Sequence, residues 1–422
     1  MSTLDERLAQ RTSLGTWTFD NRFEYRFGLG RIYSDGGPVI CELCYYITSP
    51  GGTFTLRSTN SVDYEVDWGD GTSETSTSNN LAHTYAAGDY IIRITSAVVY
   101  RPYFNNSGDE DQITSVALVS DLDVGSALTS AWYGANNMTE FNAAFGVTAG
   151  VTNFNITWTG CTGLTSFPLI DTSSGTNFFA AWQGCSGLTS FPLIDTSSVN
   201  FFYAAWDGCS SLTTFPLINT SLGGDFGYAW RNCSLLTSFP LINTSSGTSF
   251  SNTWSGCTGL TTFPLIDTSS GTDFTSAWLG CSGLTSFPTL VTSSGTSFSF
   301  AWYGCNQLTS FPSLNINAAT TFYYAWYGCT ALTTFPANFF DSWTGTPANN
   351  CFVQAWTNCS SLTATSVENI LNSIDTSLRS APASGVDITI DYNAASGTPD
   401  ISTAVSNLIS RNWTITLNGV LQ

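Results

Sequence analysis

Tryptophan recurs in this chain on a fixed step. Trp158, Trp182, Trp206, Trp230, Trp254, Trp278, Trp302 and Trp326 mark a 24-residue repeat, while Trp132 before the run and Trp356 after it stand slightly off the step. Phenylalanine stands four residues before each tryptophan of the run, cysteine three after, leucine six after, and the Phe of a Phe-Pro pair nine after. A unit this short cannot bury its own apolar positions, so consecutive units must stack and share one continuous core. A residue that recurs on schedule belongs to such a scaffold. Cys185, in "AAWQGCSGLTSFPLIDTSS" at 180–198, is therefore expected to be a rung of a ladder rather than a reactive group.

Within the unit, the pattern L-x-x-F-x-L (Leu188, Phe191, Leu193) reads as the inward face of a short strand. The proline after each Phe removes a ladder N–H and limits that strand to three or four residues. Asp, Ser and Gly of "IDTSSGT" then supply the turn. In-register strands lie about 4.8 Å apart, so ten rungs would span roughly 45 Å. That spacing with parallel Cβ vectors is wide for disulfides. The rung cysteines Cys161, Cys185, Cys209, Cys233, Cys257, Cys281, Cys305 and Cys329, with Cys359 beyond them, are expected to be buried reduced thiols. "CELC", Cys41 and Cys44, is the better metal, redox or disulfide candidate, yet it lacks a second such pair or a histidine.

Two places in the unit do not repeat. The pair before Ala-Trp runs from Phe179-Ala180 to Tyr323-Tyr324, and the residue after Trp reads Gln183, Asp207, Arg231, Ser255, Leu279, Tyr303 and Tyr327. Such columns are expected to reach solvent or a partner. Phe300, Tyr303, Tyr323, Tyr324 and Tyr327 are expected to form an aromatic cluster, either an interface for a glycan or protein subunit or ordinary surface aromatics covering the core.

At these residues the chain resembles a known family. The unit "AWxGCxxLTSFPLIDTSS" looks like the BspA-like leucine-rich repeats and, more closely, mycoplasma-type surface-protein repeats. The likeness covers about residues 125–362 and departs in its Trp and its "FPLI". Residues 41–100, with "WGDGT", "HTY" and "GDYIIRI", are similar to a PKD domain, an immunoglobulin-like sandwich. Asp67, Asp70, His83, Tyr85 and Tyr90 match that motif, which implies that the chain's one histidine holds a turn. The fold expectation is mainly β: a docking segment at 1–40, a PKD-like β-sandwich at 41–120, a leucine-rich-repeat solenoid with 24-residue rungs at 121–362, and a small α/β cap at 363–422. In the cap, Val367, Ile370, Leu371 and Ile374 share one helical face, and Ile401, Val405, Leu408 and Ile409 another.

Composition narrows the function. There are 11 arginines and no lysine against 30 acids, a net charge of −19, which argues against nucleic-acid partners and anionic membranes. No run of about 18 apolar residues spans a bilayer, and the start lacks the apolar region of a secretory signal. Lysine chemistry is absent, His83 is already assigned, and residues 151–360 hold seven aspartates and no glutamate, so no catalytic or metal site and no cofactor is expected. Asp109, Glu110 and Asp111 read as a solvated loop rather than a calcium site. Arginines and aromatics crowd into residues 1–40, which suits docking to a larger assembly. The resulting expectation is a non-enzymatic phage virion surface protein, a fibre, spike or capsid decoration, that attaches to a host glycan or surface protein and self-assembles. The alternative is a bacterial adhesin or extracellular filament subunit.

Overall fold

The computed structural model describes residues 33–34, 37–38, 43–96, 98–118, 123–143 and 146–422, in two compact units, 1–41 and 42–422. In the first, β1 (Tyr33–Ser34) and β2 (Gly37–Pro38) pair antiparallel. The rest of the docking segment expected at 1–40, and Cys41, lie outside the described residues.

The second unit is mainly β with few helices. It begins with β3 (Leu43–Arg57), β4 (Tyr64–Asp67), β5 (Ser73–Ser76), β6 (Asn80–Thr95), β7 (Ile113–Leu118) and β8 (Glu140–Ala143), in one sheet of order β5-β4-β6-β3-β7-β8. The β3–β6 ribbon buries Leu43, Tyr45 and Ile47 in one half and Phe54 and Leu56 in the other. Odd positions give way to even ones with no slip in pairing, since Pro50 faces Ala87 and Gly52 faces Tyr85. The two halves therefore bury opposite faces. The change falls at Gly51 and Gly52, whose φ of 94° and 129° suit glycine. Among the described residues the head's strands are joined in one hydrogen-bonded sheet whose two halves bury opposite faces.

After β8 the chain repeats. In each unit every second backbone N–H reaches the next unit: Phe178 to the Phe201 carbonyl (3.0 Å), Ala180 to Tyr203 (2.9 Å), Trp182 to Ala205 (2.9 Å) and Gly184 to Asp207 (2.7 Å). The same bonds recur one repeat further on, and parallel bridges join Asn153 to Asn177, Asn177 to Phe201, and so on to Ser297 with Thr321. Between them the backbone coils through tight turns, Gln183 N–H to the Ala180 carbonyl and Cys185 N–H to the Trp182 carbonyl. Inside, the tryptophans stack with ring centroids 5.3 Å apart at Trp158–Trp182 and 5.5 Å at Trp182–Trp206, and Phe191 packs edge-on to Trp182 at 4.8 Å. Buried Thr172 and Thr196 donate to the carbonyls of Asp195 and Asn219 in the following unit, so the "DTSS" segment also ties units together.

The "LTSFPLI" stretch corrects the sequence reading. It forms no strand, and its buried residues are Leu188, Phe191 and Ile194, a spacing of three. Leu193, expected inside, is 51% exposed. The cause is local: the Ile194 N–H bonds the Pro192 carbonyl at 3.0 Å, an inverse γ-turn that swings Leu193 outward. The turn recurs at Pro216–Ile218, Pro240–Ile242 and Pro264–Ile266.

The last rung is closed by α1 (Ala364–Thr376), β9 (Val386–Ile390), α2 (Ser402–Ser410), β10 (Trp413–Leu417) and β11 (Val420–Leu421). Thr363 caps α1 by accepting from Ser366 N–H, and Val367, Ile370, Leu371 and Ile374 are buried as their spacing predicts. On α2 Leu408 is buried but Ile409 is exposed, because the short helix turns it past the packed face. A parallel bridge joins Ile390 to Trp356, which places β9 beside the final rung.

Candidate interaction surface

Each rung carries two residues in the left-handed region. The one two places after Trp is glycine, as Gly184 (φ 72°), Gly208 and Gly304, or asparagine, as Asn232 and Asn358. Glycine takes this conformation without penalty. The one two places before Trp is never glycine: Ile156, Ala180, Ala204, Tyr228, Asn252, Ser276, Phe300, Tyr324 and Gln354 hold φ of 50–60° there. Each non-glycine residue so held costs about 1 kcal/mol. A side chain is kept in this column at the expense of the backbone, and the column is one of the two that vary.

At the C-terminal rungs these columns bring all five predicted aromatics together. Tyr303 stacks on Tyr327 (4.8 Å, 8°), Phe300 stacks on Tyr324 (5.3 Å), and Tyr323 meets Tyr324 edge-on (4.5 Å) and Phe300 edge-on (5.2 Å). All five are half-buried. Rings stacked along the rungs use their faces on one another. Tyr phenols combine contact area with a hydrogen-bonding tip, as interface residues do.

A second cluster on the same columns lies nearer the head. Phe179 stacks on Tyr203 (5.5 Å), Tyr203 contacts Tyr228 (5.2 Å), and the Arg231 guanidinium lies 4.6 Å above the Tyr228 ring. Arg231 Nε and Nη2 both donate to Asp207, at 2.9 and 2.7 Å, and Gln183 donates to the same carboxylate at 2.9 Å. The bonds to Asp207 push the Arg231 pKa up further. The sequence reading did not join this pair, although Asp207 and Arg231 hold the same place in adjacent rungs. The columns are also less open than their variability suggested, for Ala180, Ala204, Asp207, Ser255 and Ser276 are buried.

Elsewhere, the described cysteines and His83 are engaged within the fold. Ten cysteines, the nine rung thiols and Cys351, are free and buried. Cys185 Sγ donates to the Trp158 carbonyl at 3.0 Å, a bond repeated from Cys161 to Cys359. Burial pushes these thiols up, Cys257 and Cys305 to about 12, so none is a nucleophile near neutral pH. Cys44 takes part in a disulfide. From β6, His83 Nε2 lies 2.7 Å from Asp70 and stacks on Trp68 (4.6 Å), so it holds the "WGDGT" turn, where Thr72 also binds Asp70. The hydrogen bonds from Thr72 and His83 hold Asp70 down at about 2. Gly69 is required there, since a Cβ would meet the Ile91 carbonyl oxygen at 2.4 Å. Asp109 accepts from Thr55 N–H, and Glu110 from Ser107 and Gly108 N–H; Glu110 is buried, not solvated as expected, because it ties down the loop's backbone donors. Among the described residues no group of three or more His, Cys, Asp or Glu is placed to hold a metal ion, and no helix is long and apolar enough to cross a membrane.

No protein-family model matches the chain, and no curated protein does. Among solved structures, the crystal structure of a leucine-rich repeat protein from Eubacterium ventriosum ATCC 27560 is similar, at 14% identity and a TM-score of 0.28, over 61% of this chain and 91% of that one.

Proposed function

We propose that this chain is a non-enzymatic surface protein of a phage particle, a fibre, spike or capsid decoration, that attaches to a host glycan or surface protein through its aromatic columns. In this reading residues 121–362 are a BspA-like leucine-rich-repeat solenoid that works as a spacer and display scaffold. The "WGDGT" turn held by His83 and Asp70 marks a PKD-like head, and residues 1–40 dock the chain to the other virion proteins of its assembly. The observation that carries the proposal is the non-glycine residue kept in the left-handed region beside each Trp, which at Phe300 and Tyr324 holds aromatic rings at the surface. Strained positions of this kind cluster where a surface does work. The test is cell binding by the purified chain with Tyr303, Tyr323 and Tyr327 changed to alanine. Loss of at least roughly tenfold in binding with an unchanged circular dichroism spectrum is expected, in line with a contact hot spot; undiminished binding discards the site. Independently, a chain lacking residues 1–40 should fail to enter particles.

A further inference from the structure

The γ-turn that ejects Leu193, Leu217, Leu241 and Leu265 builds a surface to which Leu169 also belongs. Leu169, Leu193, Leu217, Leu241 and Leu265 occupy the same place in five successive rungs and are 44, 51, 62, 63 and 62% exposed. The turn does not require them: Thr289 and Ser313 stand at this position in the next two rungs, and at Thr289 the turn bond, Leu290 N–H to the Pro288 carbonyl, persists at 3.0 Å. The stripe therefore begins and ends within the array. Each leucine follows a proline that is itself half-exposed, so the apolar band is two residues wide.

We propose that this stripe is the contact between two copies of the chain. Three observations choose that occupant. Any ligand that fills the stripe must repeat at the rise of the rungs, about 4.8 Å, and a second stripe does so in every rung. Antiparallel packing about Leu217 sets Leu193 against Leu241 and Leu169 against Leu265, a self-complementary contact that closes as a dimer because the stripe is finite. Charge is least at the centre of the stripe. The position two after each leucine is aspartate at Asp171, Asp195 and Asp267 but neutral as Asn219 and Asn243, so in this packing the three inner contacts hold no like-charge pair and only the outermost sets Asp171 against Asp267. Area agrees as well. Five leucines at this exposure present on the order of 500 Å² of apolar surface, at the upper end for an isolated chain. The half-exposed prolines add to that area, against the roughly 800 Å² per partner of a standard interface. This contact is independent of the aromatic columns and of the attachment reading.

The experiment is sedimentation velocity of the full chain across the micromolar range, with Leu217→Arg/Leu241→Arg and Tyr303→Ala/Tyr327→Ala variants alongside. The unaltered chain and the tyrosine variant should dimerise alike, and the arginine variant should weaken dimerisation at least roughly tenfold while keeping the same circular dichroism spectrum, because the replaced side chains lie outside the core of each chain. A monomeric unaltered chain, or an arginine variant that dimerises as well as its parent, overturns the proposal.

Discussion

Tyr324 sits at φ 54° with its ring against Phe300, Tyr323 and Tyr327. Its backbone prefers glycine and its side chain does not. Gln354 holds the same position one rung on, at φ 59° and half-buried. The two residues separate the backbone term from the side-chain term. Gln354→Gly relieves the left-handed strain while removing little packing, and it should raise unfolding free energy by about 0.5–1 kcal/mol. Tyr324→Gly gains the same relief but forfeits its aromatic contacts, each worth about 0.5–1.5 kcal/mol, so it should lower stability. Denaturant midpoints for both variants check the pair; equal shifts would mean that the rings contribute nothing.

At the level of the rung, every second peptide unit points the same way along the stack. The carbonyl before Phe154, Ile156, Trp158 and Gly160 faces the preceding unit and the N–H faces the following one, giving four aligned columns of hydrogen bonds. As in a helix, such columns leave N–H groups unpaired at one end and carbonyls at the other. The head covers the carbonyl end, with Phe104 and Asn106 N–H donating to Ala131 and Tyr133. At the N–H end the Asp391 carboxylate accepts from Asn358 at 2.7 Å. Asp391→Ala should destabilise this last rung by about 1 kcal/mol, read as faster hydrogen exchange at the Asn358 amide, whereas exchange at Trp206 stays unchanged. Much of this architecture is legible in the sequence, because a 24-residue period marks the Trp, Cys, Leu and Phe columns, and helical spacing marks Val367 to Ile374. The orientation of "FPLI" is not. Alternation assigns Leu193 to the core, but prolines and the γ-turn impose a period of three that selects Ile194. Leu193 looks like a core leucine for that reason, and the exposed stripe stays hidden. The Arg231–Asp207 pair was within reach of a sequence reading, by asking of each charge what stands one repeat away. The pairing of β7 with β8, which carries the head's sheet into the array, leaves no local signal.

For the whole molecule, the continuous core stores a pH dependence. Ten buried thiols have their pKa raised, first by desolvation, with Cys257 and Cys305 moved from 9.0 to about 12. Tyr45, Tyr85 and Tyr100 are raised for the same reason. In the unfolded chain these groups ionise at their ordinary values, so above pH 9 the unfolded state binds fewer protons than the folded one. Stability is then complete below pH 9 and is lost as pH climbs toward 12. Each thiol contributes a slope of about 1.4 kcal/mol per pH unit. Ten together give on the order of 10 kcal/mol per unit, comparable with the whole stability of an ordinary domain. The chain should therefore hold its structure to about pH 9 and unfold steeply within a unit or two above it. Tryptophan fluorescence followed against pH in reductant measures this, since the stacked indoles enter water together. Replacing Cys257 and Cys305 by alanine removes two of the ten titrating groups and should make the alkaline transition shallower. A chain that stays folded at about pH 12 and whose thiols are then alkylated at once would show that they ionise in place, and with that the closed, unreactive ladder would have to be abandoned.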